Sequence, residues 1–164
     1  MAYTINSHLV GHQPLTATST TQAHALGTVV KAVDSTYGEG EFVYLKGVAS
    51  TAAGNVVVFD QKGATTTRSV AGSRGSVGVA MSANVASQFG WYQISGSAVV
   101  TCGTVSAAKG LYVTATPGSV DDAIVAGDLI VGAVSITANG TPATGQLVAQ
   151  LARPSIGGAW EAAS

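Results

Sequence analysis

The sequence predicts an all-β protein, a small β-barrel or β-sandwich that carries an extended N-terminal arm. Its 164 residues include 22 valines and 18 threonines, whose branched Cβ atoms favour strands over helices. Eight to ten short segments of strand character are separated by turns rich in glycine, and this spacing is typical of sandwiches and barrels. No segment combines helical periodicity with helix caps.

The first 27 residues are predicted to form the arm. The first charged side chain in the chain is Lys31, and the few apolar residues before it follow neither the period of a strand nor that of a helix. Gly11 and Pro14 interrupt any helix. We therefore expect residues 1–27 to lack a core of their own and to be ordered only where they lie on another surface.

Residues 28–152 are predicted to form the β-domain. The predicted strands span residues 28–33, 41–48, 55–60, 65–70, 76–82, 90–95, 98–102, 110–116, 129–137 and 146–151. In the second strand, residues 42 and 44 point to one face and residues 43 and 45 to the other. The third strand has no polar alternation, which predicts burial on both of its faces.

Two boundaries in this domain are predicted from turn residues. Gly96-Ser97 lies between two apolar runs and predicts a two-residue hairpin turn, because glycine adopts the positive φ that such a turn requires. Residues 153–164 are interrupted by proline and glycine and are predicted to form a loose C-terminal tail.

The charge content is unusually low. Seven Lys and Arg and eight Asp and Glu make the chain 9% charged, against about 25% for an ordinary soluble domain. A net charge of −1 gives no electrostatic reason to expect nucleic acid or an anionic membrane as partner. No apolar run has the length of a membrane span, and the start predicts no secretory signal. We expect neighbours in an assembly to cover part of this uncharged surface.

No catalytic or metal-binding constellation is visible, so we predict a protein that is not an enzyme and has no cofactor or metal. His8 and His12 have the spacing of two ligands on one helical face, but a glycine lies between them and no carboxylate is near. Cys102 has no base close in sequence. Acidic clusters at residues 34–41 and 121–128 fit no calcium loop and are expected as turn residues; a glycosidase pair stays an open alternative.

Two adjacent aromatic residues, Trp91 and Tyr92, stand out as candidate contact residues. Neighbours in a strand point to opposite faces, so we expect at most one of the two to be buried in the core. The other is predicted to be an exposed aromatic anchor at a contact surface, or part of a sugar-binding platform.

Several blocks of the chain resemble a known family of virion proteins. The blocks are residues 26–31, 37–48, 77–81, 87–96, 110–113 and 126–133, with sequences such as Gly38-Glu39-Gly40-Glu41-Phe42-Val43-Tyr44-Leu45-Lys46-Gly47. Together they are similar to the small β-rich structural proteins of tailed bacteriophages that are described as capsid decoration, cement or head-stabilisation proteins. The resemblance covers residues 26–151.

This resemblance implies a β-tulip-like domain on the outside of an icosahedral capsid, made in the host bacterial cytoplasm. It implies that the protein binds the major capsid protein and itself, as a homotrimer or a dimer, and bridges neighbouring capsid subunits to stabilise the expanded shell. Arm residues expected to contact the capsid or a neighbouring protomer are Tyr3, Ile5, Leu9, Val10 and Leu15. The alternatives are a tail or head-fibre protein, and a carbohydrate-binding or receptor-binding β-sandwich module.

Overall fold

The structure, a computed structural model, describes residues 2–6 and 11–157. These residues form an all-β fold without a helix, with 46% of the chain in strands, so no helix among them could cross a membrane. The strands are β1 (Thr4–Ile5), β2 (Val29–Asp34), β3 (Gly38–Lys46), β4 (Val56–Phe59), β5 (Thr66–Arg68), β6 (Gly75–Ala80), β7 (Phe89–Thr101), β8 (Gly110–Val113), β9 (Val120–Asp121), β10 (Leu129–Ser135) and β11 (Gln146–Ile156).

All these strands belong to one antiparallel sheet, with the order β1-β2-β3-β7-β6-β11-β10-β8-β9. β4 pairs with β6 and β5 with β4, beside that path. The sheet is not closed into a barrel and is sandwich-like. The all-β prediction is therefore confirmed, and of the two predicted architectures the sandwich is the one that agrees with the structure.

The long strand β7 belongs to two parts of the sheet. Its first half pairs with β3, and its second half pairs with β11 from Ser95 to Thr101. Between the halves Gly96 has a φ of 92°, and a Cβ there would lie 3.0 Å from the Cα of Gly40. The predicted hairpin at this position is thus wrong, because the glycine lets β7 bend against β3 and does not reverse the chain.

The buried apolar residues form three clusters. The main core lies between the strands from β4 to β11 and includes Val79, Val100, Leu111, Ile130, Leu147 and Ile156. The arm-side core lies on one face of β2, β3 and β7 and comprises Leu15, Val30, Ala32, Phe42, Tyr44, Met81 and Trp91. The opposite core lies on the other face and comprises Val43, Leu45, Val57, Ala64, Ala80, Tyr92 and Ile94.

The alternation read from β3 is confirmed by these clusters. Phe42 and Tyr44 lie in the arm-side core, and Val43 and Leu45 in the opposite core. The double burial predicted for residues 55–60 is confirmed for the start of β4, since its first two residues lie in the main core and the opposite core respectively. The centre of the sheet is therefore covered on both faces.

The N-terminal arm lies on the sheet of its own chain. β1 pairs with β2, with Thr4 opposite Val33 and Ile5 opposite Ala32. The backbone N–H of Ala2 donates to Asp34 Oδ2 at 2.7 Å. The surface that orders the described part of the arm is thus the arm-side core.

The C-terminal strand extends beyond the boundary predicted at residue 152. β11 continues to Ile156, where Ser155 pairs with Ser76 and Ile156 with Gly75. Arg153 Nε donates to Glu41 Oε2 at 3.0 Å. The prediction of a loose tail is therefore wrong for residues 153–156, because β6 supplies a partner strand, and residues 158–164 lie outside the described residues.

Candidate functional site

The outward face of β10 is an apolar surface without charge. Val131 is 58% exposed and Val134 is 48% exposed, and Leu129 and Ile136 also point to solvent. The inward residues Ile130 and Ala133 are buried in the main core. Strands with one solvated face normally carry polar residues there, so β10 has an outer face suited to a contact with another apolar surface.

An irregularity at Gly132 of β10 sets this arrangement. The register with β11 shifts between Val131 and Ala133, and Gly132 between them has a φ of 85°. If the alternation continued regularly from Val131, Ala133 would point outward and Val134 inward. This break in the alternation therefore brings both valines to the same outer face.

The neighbouring strands continue this surface. Tyr112 of β8 is half-buried and lies opposite Leu129, and Gln150 of β11 lies opposite Val134. The N–H of Ile136 donates to the Val148 carbonyl at 2.7 Å, beside the same face. β8 and β10 contain no Asp, Glu, Lys or Arg. We call the outer surface formed by residues 112, 129, 131, 134, 136, 148 and 150 the β10 face.

A second feature is a polar anchor that holds the arm. We call residues 11–24 the strap; its residue Gln13 is buried at 9% exposure. Gln13 Nε2 donates to the carbonyls of Ala17 at 2.8 Å and Phe89 at 3.1 Å. Gln13 Oε1 accepts from the Tyr44 hydroxyl at 2.9 Å, and the Gln13 carbonyl accepts from Trp91 Nε1 at 2.9 Å. One glutamine thus joins the strap to β3 and β7.

The arm residues predicted to contact a capsid or a neighbouring protomer lie on their own chain where they are described. Leu15 is buried in the arm-side core, and Tyr3 and Ile5 pack against it. The Tyr3 ring lies 4.9 Å from that of Phe42, edge to face, and burial raises the pKa of Tyr3 to about 12. Leu15 is therefore covered by its own chain in the structure, which corrects its assignment as a contact residue. Leu9 and Val10 lie outside the described residues.

The prediction that Trp91 or Tyr92 is exposed is wrong. Both have 0% exposure, Trp91 in the arm-side core and Tyr92 in the opposite core. They do point to opposite faces, but both faces are covered. Tyr92 Oη accepts from Asn84 Nδ2 at 3.0 Å, and burial raises its pKa. Neither ring can be a surface anchor or a sugar platform in this fold.

The titratable groups singled out in the sequence have structural contacts. Cys102 is buried in the main core, and burial raises the pKa of its thiol. Burial alone would raise the pKa of Asp34, but hydrogen bonds from the backbone N–H groups of Tyr37, Thr36 and Ala2 outweigh it and lower that pKa. Within residues 2–6 and 11–157, no three His, Cys, Asp or Glu residues are grouped to hold a metal ion.

A surface depression of about 510 Å³ lies beside the turn from β4 to β5, lined by Phe59, Asp60, Arg74 and Ser76 among others. The Asp60 carboxylate on its wall accepts from the backbone N–H groups of Lys62 and Gly63. That carboxylate therefore has the role of a turn residue.

Sequence reasoning missed both the β10 face and Gln13. The sequence did contain a signal for the β10 face: both the odd and the even positions of β10 carry apolar residues, so whichever face of the strand is buried, the other face is apolar too. No local signal marks Gln13, because its partners on β3 and β7 (Tyr44, Phe89 and Trp91) are distant in the sequence.

Comparisons of the chain with protein-family models, with curated proteins and with solved structures found no match.

Proposed function

We propose that this protein is a non-enzymatic structural component of a tailed-phage virion. In this proposal it binds the outer surface of the icosahedral capsid and bridges neighbouring major capsid subunits, which stabilises the expanded shell. The observation that carries the proposal is the β10 face, an exposed apolar surface centred on Val131 and Val134. The resemblance of residues 26–151 to capsid decoration proteins supplies the partner.

The chemistry of the β10 face favours a protein partner over a nucleic acid or an anionic membrane. β8 and β10 offer no charged group for recognition of a nucleic acid or an anionic lipid. Association would bury apolar area, which stabilises a complex by about 25 cal/mol per Å² before the costs of association. Many copies on one lattice add avidity, so each contact can be of moderate strength. The protein is also expected to self-associate as a trimer or a dimer.

The proposal is tested with expanded capsids that lack decoration. We expect the purified protein to bind them saturably, in a fixed ratio to the major capsid protein, and to raise the temperature at which the shells open. Co-sedimentation and calorimetry measure these two results. A protein that does not bind such capsids, or binds without saturation, contradicts the proposed function; a tail or head-fibre role, the main alternative, predicts that result.

The role of the β10 face has a separate test. Val134→Lys places a charge on the face, and we expect it to weaken capsid binding at least about tenfold, because an unpaired lysine must be desolvated. Val33→Lys is the matched control, since Val33 is 44% exposed and Val134 is 48% exposed. Equal binding by the two variants would show that the capsid contact lies elsewhere.

A further inference from the structure

We propose that a pocket beside the opposite core binds a medium-chain aliphatic carboxylate, with the alkyl chain on apolar core residues and the carboxylate on Arg153. The pocket shares no residue with the β10 face, and the inference does not rest on the proposed function. It starts from the chemistry of the residues that line the pocket.

The pocket is apolar where it meets the core. It has a volume of about 210 Å³, and half-buried Phe59 and exposed Val29 form part of its wall. Its floor consists of buried residues of the opposite core: Val43, Leu45, Ala64 and Ile94. Since an apolar cavity of about 150 Å³ holds a benzene molecule, this pocket has room for an alkyl chain of about six to eight carbon atoms.

The pocket carries a single cation. Among the described residues that line it, Arg153 is the only Asp, Glu, Lys or Arg. An adjoining pocket of about 110 Å³ shares Phe59, Gln61, Ile94 and Arg153 with the first. A cation on the wall of an apolar pocket fits a ligand that has an apolar chain and an anionic head.

The guanidinium of Arg153 has donors for such a ligand. Its Nε donates to Glu41 Oε2 at 3.0 Å, and Glu41 lines neither pocket. A guanidinium also donates from Nη1 and Nη2, and these two nitrogens can bind a second carboxylate bidentately. The ion pair with Glu41 therefore positions the guanidinium through Nε and leaves the terminal nitrogens for the ligand.

The backbone of β11 is irregular at Arg153. β11 pairs with β7 as far as Ala152 and with β6 from Ser155 onward, so residues 153 and 154 lie where the strand changes its partner. Arg153 has a φ of 45°, in the left-handed region that residues other than glycine rarely adopt. Such irregularities turn side chains in new directions, and they are concentrated at ligand sites.

The alkyl chain and the carboxylate should contribute separately to the affinity. Each buried methylene group strengthens binding about fourfold, so octanoate should bind about fifteenfold more tightly than hexanoate. A hydrogen bond to a charged group is stronger than one between neutral groups, so hexanoate should bind about tenfold more tightly than hexanamide.

Titration of the full chain with sodium octanoate tests the pocket, with amide shifts followed in ¹H–¹⁵N NMR spectra. We expect saturable shifts of the Val43 and Ile94 amides, whereas the amide of Leu147, which is buried in the main core, should not shift. Titrations with hexanoate and hexanamide give the contributions of the chain and of the charge. Shifts that do not saturate, or equal affinities for hexanoate and hexanamide, would overturn the proposal.

Two substitutions separate Arg153 from its ion-pair partner. Arg153→Gln removes the cation and should weaken octanoate binding at least about tenfold. Glu41→Gln breaks the same ion pair but keeps the cation, so it should bind octanoate at least as tightly as the unmodified protein. Equal weakening by the two substitutions would show that the ion pair matters only for the fold, and would contradict a contact between Arg153 and the ligand.

A second pair of variants tests the pocket without a change of charge. Val29→Trp places a large ring at the wall of the pocket and should abolish octanoate binding. Val33→Trp is the matched control, because both valines belong to β2, with exposures of 43% and 44%, and Val33 does not line the pocket. Unchanged octanoate binding by Val29→Trp, or equal loss in both variants, would place the ligand elsewhere and overturn the proposal.

Discussion

Replacing Gln13 with leucine tests the attachment of the arm most directly. Leucine fills a similar volume but can make none of the three side-chain hydrogen bonds, to Ala17 O, Phe89 O and the Tyr44 hydroxyl. Each such bond contributes about 0.5–1.5 kcal/mol net, and a buried donor left without a partner costs about 1–3 kcal/mol. The Phe89 carbonyl keeps another donor, the Ser19 N–H, whereas the Tyr44 O–H loses its acceptor. We expect Gln13→Leu to lower the free energy of unfolding by about 2–4 kcal/mol.

The loss can be assigned to this contact by a double-mutant cycle with Tyr44→Phe. Gln13→Leu alone leaves the buried Tyr44 O–H without its acceptor, whereas the double variant removes both groups. The sum of the stability losses of the two single variants should therefore exceed the loss of the double variant by about 1 kcal/mol or more. Urea unfolding followed by far-ultraviolet circular dichroism measures the stabilities, and tryptophan emission reports docking, because Trp91 Nε1 donates to the Gln13 carbonyl.

Two results would refute this reasoning. A loss below about 0.5 kcal/mol for Gln13→Leu would mean that the glutamine contributes less than a single ordinary hydrogen bond. Additivity of the two substitutions within about 0.3 kcal/mol would mean that the side chains do not interact in the folded protein.

Two further predictions concern the sheet and its response to acid. Gly96→Ala should destabilise the fold by more than about 2 kcal/mol in urea unfolding, because φ is positive at this position and a Cβ would meet the Glu39 carbonyl. Ser97→Ala is the control, and equal stabilities of the two variants would contradict the bend at Gly96. Asp34 has a lowered pKa in the folded state, so its contribution is present above about pH 4 and is lost as the pH falls through the folded value. Asp34→Asn should therefore be less stable than the unmodified protein at pH 6, with a difference that shrinks in acid; a difference independent of pH would contradict this.

The local chemistry of the strands could be read from the sequence. The branched residues predict strands, and the period of two assigned the side chains of β3 to the faces that they occupy. The same rule correctly sends Trp91 and Tyr92 to opposite faces. These results need only the geometry of an extended chain.

The covering of those faces depends on the tertiary structure. Alternation gives the direction of a side chain but not the element that packs over it. The prediction that Trp91 or Tyr92 is exposed is therefore wrong, because both faces of the sheet are covered at this point. The positive φ of Gly96 fits a hairpin and a bent strand equally well, and the pairing of β7 with both β3 and β11 selects the bend.

The arm and the β10 face also combine features that the sequence predicts with features that only the tertiary structure decides. Composition alone indicates that residues 1–27 have no core and that much of the surface is uncharged. Only the folded chain shows that Gln13 anchors the strap against Tyr44 and Trp91, and that the irregularity at Gly132 turns two valines outward. The physical reason is that these arrangements depend on contacts between residues far apart in the chain, which a local pattern does not contain.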